Sequence, residues 1–206
     1  MKKLYLLRHG QTEFNVKKLV QGRCDSPLTD LGRQQAGAAA AWLKAHNVTP
    51  DKVISSPLGR AMDTASLVAT ELLGPDAAVE PCEGIIERCY GTFEEGPHDA
   101  LPTDVWDPGE DLVPFGGEGS KALQERMVAT LANLMSAKGT ETLLAVSHGS
   151  ASRQFIKAAV PEGFELPAKL PNCAIMIFDF DDSQEEDDTP QSKFTLQQIV
   201  DPQQSH

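Results

Sequence analysis

Apolar positions along this chain switch between unbroken runs and helical spacing. The run Leu4-Tyr5-Leu6-Leu7 has no polar alternation, which predicts a strand covered on both faces, as in a parallel sheet flanked by helices. It ends abruptly in Arg8-His9-Gly10. Ala36, Ala39, Ala40 and Leu43 then recur at helical spacing, with Thr29 as N-cap and Asn47 as terminator. Lys52-Val53-Ile54-Ser55 predicts a second strand. Ser56-Pro57-Leu58 opens a helix carrying Leu58, Met62, Ala65, Ala69 and Leu72 on one face as far as Gly74-Pro75. Ala78 to Cys82 predicts a third strand, leading into Ile85-Ile86-Glu87-Arg88-Cys89-Tyr90-Gly91.

From about residue 92 to 119 the periodicity disappears. The stretch is rich in Pro, Gly and acid, and long enough for a lid rather than a connector. A helix resumes near Ser120, with Leu123, Met127, Leu131 and Leu134 on a face and Gly139 beyond its end. Glu141 to Val146 repeats the pattern of the first strand and ends in Ser147-His148-Gly149. A helix follows through Phe155-Ile156 to Val160-Pro161, and Cys173 to Phe178 and Lys193 to Leu196 predict two closing strands. The acidic linker between them, Asp181 to Asp188, has the composition of a solvated, disordered loop, without the spacing or glycine of a calcium loop.

Length and composition narrow this picture. With 206 residues, 40% of them hydrophobic, the chain suits one substantial core, so a single domain over 1–206 is expected. No apolar run reaches membrane-spanning length, and Met1-Lys2-Lys3 passes directly into the first strand, which predicts a cytoplasmic protein without membrane contact. Cys24, Cys82, Cys89 and Cys173 lack the spacing of a zinc site or disulfide framework and read as reduced thiols. A net charge of −12 argues against nucleic acid as a partner. Yet residues 1–70 carry ten Lys/Arg against five Asp/Glu. An anion site would draw on that first third.

If the strands are parallel, their carboxyl ends bring Arg8-His9, the Ser55 to Arg60 segment and His148 together, at the edge where open α/β sheets bind ligands. Arg60 falls in the first turn of its helix, where the dipole opposes a cation, so a nearby anion would explain it. Two arginines and two histidines suit a compact dianion such as a phosphoryl group, and Gly10 and Gly149 allow backbone N–H groups close approach. An imidazole in such a site suggests attack on phosphorus to give a phosphohistidine, with the other cations stabilising the equatorial oxygens. A proton donor for the leaving oxygen is then required. Glu87, in a mostly apolar stretch where partial burial would favour its protonated form, is the first candidate and Glu83 the second.

Arg8-His9-Gly10-Gln11-Thr12, Ser55-Ser56-Pro57-Leu58-Gly59-Arg60-Ala61 and Ser147-His148-Gly149 resemble the motifs of the histidine phosphatase superfamily, in its phosphoglycerate mutase-like branch, in order and spacing along nearly the whole chain. The resemblance implies an α/β fold: a three-layer α/β/α sandwich with a mostly parallel central sheet and an antiparallel C-terminal strand. It also implies metal-independent chemistry with no cofactor, His9 as the phosphorylated nucleophile, and Arg8, Arg60 and His148 as the phosphate pocket. Glu87 falls on the family's proton donor, and Asn15, Gln21 and Gly22 on neighbouring contacts. Arg88, Tyr90 and Gly149 complete the expected substrate contacts. The expected partner is a small-molecule phosphomonoester, and the expected assembly a monomer or homodimer.

The departures from the mutase pattern favour hydrolysis. Cys89 stands where mutases have histidine, and between Gly91 and Ser120 there is no Lys or Arg against eight Asp/Glu. Gly116-Gly117-Glu118-Gly119-Ser120 carries one glycine more than the family's Gly-Gly-Glu-Ser, and Phe93-Glu94-Glu95-Gly96 departs from Trp-Glu-Gly. The chain therefore reads as a phosphomonoesterase. The alternatives are a cofactor-dependent phosphoglycerate mutase, with Arg88 on a substrate carboxylate, and a non-catalytic phospho-ligand binding protein. The acidic lid predicts a neutral or cationic leaving group. A serine hydrolase is excluded by the missing Gly-x-Ser-x-Gly elbow.

Overall fold

The computed structural model describes residues 1–160, 166–167, 169–183 and 193–204. Six strands form one sheet in the order β3-β2-β4-β1-β5-β6: β1 (Lys2–Arg8), β2 (Lys52–Ser55), β3 (Glu80–Pro81), β4 (Thr142–Ser147), β5 (Ile175–Phe180) and β6 (Phe194–Val200). The pairs β1–β4, β2–β4 and β2–β3 are parallel, while β5 runs antiparallel to both of its neighbours. The fold is the expected α/β sandwich with a mostly parallel sheet.

The unalternating apolar runs are explained by helices on both faces. Leu4 and Leu6 of β1, with Leu143 and Ala145 of β4, pack under α4 (Ser120–Ser136) and α5 (Gly149–Ala159), joined by Phe155 and Phe178. Leu7, Leu144, Val146 and Val53 face α2 (Asp30–Ala45) and α3 (Gly59–Leu73), where Ala36, Ala39, Ala40 and Ala65 allow the helices to lie close. No helix of the described residues is long and apolar enough to cross a membrane.

Several boundaries differ from expectation. The third strand shrinks to two residues at the sheet edge, where Pro81 removes a ladder donor. Residues 13–17 form a short helix, α1 (Glu13–Lys17), because Thr12 and Asn15 cap one another reciprocally. Helix α3 starts at Gly59, with Leu58 at the N-cap offering no side-chain bond. Helix α2 keeps Thr29 as N-cap, its hydroxyl accepting from the Gly32 N–H at 3.0 Å. Residues 92–119 contain short 3-10 turns and neither α-helix nor strand. Of the acidic linker, residues 184–188 lie outside the described residues.

Candidate active site

The strands β2, β4 and β1 lie side by side and parallel, so three carboxyl ends deliver their residues to one place. The register is level. Arg8 pairs with Ser147 and Ser55 with Val146, and the His9 N–H donates to the Ser147 carbonyl at 3.0 Å. This sets the His9 and His148 rings 5.2 Å apart, centroid to centroid. Arg8, His9, Arg60, Glu87, Asn15, Gln21, Gly22, Tyr90 and Gly149 line a cavity of about 60 Å³ beside them. That is far smaller than the roughly 300–1,000 Å³ of sites for drug-sized ligands.

The cluster is electrostatically prepared for an anion. His9 Nδ1 lies 2.7 Å from the Gly10 carbonyl, which it can bond only as a donor, leaving Nε2 with its lone pair. Burial, then the charges of Arg60 and Arg8, hold the His9 imidazole well below its ordinary range, so it is neutral at pH 7. His148 is depressed for the same reasons, with its Nε2 2.7 Å from the Ser56 hydroxyl. Arg8 is lowered to about 10 by burial. Arg8 Nε, Arg60 Nε and His148 Nδ1 are buried without a protein partner. Orphaned polar atoms of this kind are costly unless a ligand meets them.

Glu87 enters from the other side. Its carboxylate accepts from the N–H groups of Arg88 and Ala151 at 2.8 Å and of Ser150 at 3.2 Å, the last two at the N-terminus of α5. Its surroundings are thus polar rather than the apolar ones expected. Glu83 is exposed and outside the cavity, which leaves Glu87 as the carboxylate at the site.

Residues 4–188 match the histidine phosphatase superfamily (branch 1). The chain belongs to that superfamily. Among curated relatives, a probable phosphoglycerate mutase GpmB of Escherichia fergusonii is 33% identical over 193 residues, covering 89% of this chain and 87% of the relative. Among solved structures, a phosphoserine phosphatase of Entamoeba histolytica in complex with phosphoserine aligns over 98% of both chains at 28% identity and a TM-score of 0.75. The same enzyme in complex with 3-phosphoglyceric acid aligns over 97% of this chain and 96% of its own, at 29% and 0.73. A phosphoglycerate mutase of Bacillus anthracis shares the fold at a TM-score of 0.73, with 86% of this chain and 87% of its own covered at 23% identity.

Within this superfamily member, Arg88 is the expected contact that the structure takes away from the cavity. It is fully buried, and its guanidinium donates to Ser150 Oγ at 3.0 Å, the Glu118 carbonyl at 2.7 Å, the Gly109 carbonyl at 3.3 Å and Ser120 Oγ at 2.9 Å. It is a strut, not a free cation. The acidic 92–119 segment is corrected in the same way. Glu118 forms a two-point pair with Arg126, Asp107 bonds Lys157 and Gln154, and Glu94 accepts from the N–H groups of Arg23, Cys24 and Tyr90. What this segment presents to the cavity is His98, Val105 and Trp106.

Three contributors escaped the sequence reading. Asp25 accepts from the Gly59 and Arg60 N–H groups and pairs with the Arg60 guanidinium at 3.0 Å. The anion that explains a cation in that first turn is therefore partly the protein's own. The missing side-chain cap of α3 was the signal for it. Trp106 lies over the Arg8 guanidinium, 5.0 Å from ring centroid to Cζ. The loop before β5 holds the nucleophile candidate from behind. Its Leu170 carbonyl accepts from Arg8 Nη1, and Asn172 Nδ2 donates to the His9 carbonyl at 3.1 Å.

Proposed function

We propose that this chain is a cytoplasmic, metal-independent phosphomonoesterase, a single domain whose 92–119 segment is its lid. It hydrolyses a small phosphomonoester in two displacements. His9 Nε2 attacks phosphorus, the ester P–O bond breaks, and Glu87 in its protonated form gives its proton to the leaving oxygen. A phosphoramidate remains on His9. Water then attacks phosphorus, Glu87 takes up the water proton, and the P–N bond electrons return to Nε2, releasing phosphate. Arg8, Arg60 and His148, with Asn15, Gln21, Gly22 and the backbone at Gly149, meet the phosphoryl oxygens.

The observation that carries this reading is the neutral, tautomer-fixed His9 beside three buried polar atoms without protein partners. Hydrolysis is preferred to mutation because Arg88, the cation a second acidic group would need, is consumed within the protein. The mutase reading is favoured by the naming of the 33% identical relative. Assaying phosphate release and isomerised product together in chelator, on a panel of monoesters, decides between them. Chelator-resistant release is expected. It should fall about 10⁴-fold or more in His9→Ala, with loss of an acid-labile phosphoenzyme. Isomerised phosphoglycerate with little free phosphate would overturn the proposal.

A further inference from the structure

The cavity lining is chemically mixed. Beside His9 stand the unpartnered Arg8 Nε, Arg60 Nε and His148 Nδ1. A largely apolar and aromatic wall is built of Leu19, Val20, Tyr90, His98, Val105 and Trp106, with Trp106 lying over the Arg8 guanidinium. Two of its polar groups are already engaged: the Tyr90 hydroxyl donates to the Val105 carbonyl at 2.7 Å, and His98 Nε2 lies 3.2 Å from the Leu19 carbonyl.

Trp106 is held in place from both sides. The Tyr90 bond anchors Val105 before it, and after it Asp107 accepts from Gln154 Nε2 at 2.8 Å and bonds Lys157. The Trp106 backbone N–H donates to Asp104 Oδ1 at 3.0 Å. The indole fits against Gly149 so closely that a Cβ there would come within 2.7 Å of Trp106 Cζ3. A fixed indole forms part of the wall.

Resting on the phosphatase reading above, we infer that this wall is the leaving-group subsite and that it selects monoesters of uncharged apolar or aromatic alcohols, with Trp106 as the specificity-determining residue. A leaving group bearing a carboxylate would lose its hydration against Trp106 and Val105, and none of the residues that build this wall is a lysine or arginine to pair with it. A site that cannot satisfy such a group discriminates against it by tenfold or more.

The test uses benzyl phosphate, O-phosphoserine and 3-phosphoglycerate, whose leaving alcohols are all alkyl, so that intrinsic reactivity does not mimic selectivity. The wild type is expected to show a kcat/KM at least about tenfold higher for benzyl phosphate than for either carboxylated ester. Trp106→Ala should lower the benzyl phosphate value about tenfold, mainly through KM, and change the carboxylated esters far less. Trp106→Phe should retain most of the preference. Equal or better turnover of the carboxylated esters would overturn the inference, and so would a uniform loss in kcat for all three in Trp106→Ala, which would make Trp106 a cover for Arg8 alone. Titrating His9→Ala with benzyl phosphate and 3-phosphoglycerate gives the affinity order without turnover. If benzyl phosphate binds tighter while the wild type releases no phosphate, the phosphatase reading fails and the subsite stands. Tighter binding of 3-phosphoglycerate removes the subsite whatever the chemistry.

Discussion

The strand-end cluster and the 92–119 segment enclose the same cavity by opposite means. Around His9, three adjacent parallel strands fix the side chains through backbone register, and the cations keep polar atoms unspent. In the 92–119 segment there is no regular ladder, and several charged side chains are consumed in holding the segment down: Glu118 on Arg126, Asp107 on Lys157, Glu94 on the loop around Cys24. Arg60 joins the two kinds of use: its guanidinium pairs with Asp25 while its Nε keeps no partner, so the free atom and not the free charge is what a ligand could meet. A count of acids along a loop does not distinguish the two.

The largest expected effect is at Glu87, which lines the cavity with its carboxylate at the N-terminus of α5. Glu87→Gln is expected to lower kcat by 10²–10⁴-fold for alkyl monoesters and much less for an aryl phosphate, whose leaving oxygen needs little protonation. Equal losses on the two substrates, measured in steady state, would remove Glu87 from proton transfer. Next in size is the strut. Arg88→Met deprives Ser150, Ser120 and the Gly109 and Glu118 carbonyls of their donor, and should cost roughly 3 kcal/mol in urea denaturation. Its kcat should fall by the same factor for every ester. A rise in KM confined to carboxylated substrates would instead make Arg88 a ligand contact.

A more gradual effect is that of pH on the cluster. Both histidines have native values depressed below the ordinary one near 6.5, so from there downward the unfolded chain takes up protons that the native protein refuses. Stability is complete above about pH 6.5 and falls as pH drops, by at most about 1.4 kcal/mol per unit for each histidine. Melting temperatures between pH 7.5 and 5 measure it, and His148→Asn should flatten the slope. A slope unchanged in that variant would show that His148 is not buried in its neutral form.

The cluster was legible because its signals are local and repeated. A buried strand ending in histidine occurs twice, and parallel topology needs no further information to unite Arg8-His9 with His148. Asp25 was hidden because it caps α3 from 34 residues away, and half-exposed acids are common in loops. Trp106 was hidden because nothing periodic surrounds it; one of only two tryptophans, in an acidic loop, was the available hint. Arg88 was misplaced because resemblance transfers a residue's position and not its hydrogen bonds. β3 is shorter than the Ala78 to Cys82 run suggests because Pro81 has no N–H to extend the ladder.

The unpartnered nitrogens of Arg8, Arg60 and His148 have one further effect. On the proposed mechanism they would meet a phosphoryl group whether it arrived on a substrate or remained after water had cleaved it from His9. The inorganic product would be met by the same contacts as the ester, so free phosphate is expected to compete with substrate, which inhibition kinetics would measure. The enzyme's throughput would then follow the ratio of ester to phosphate rather than the ester concentration alone.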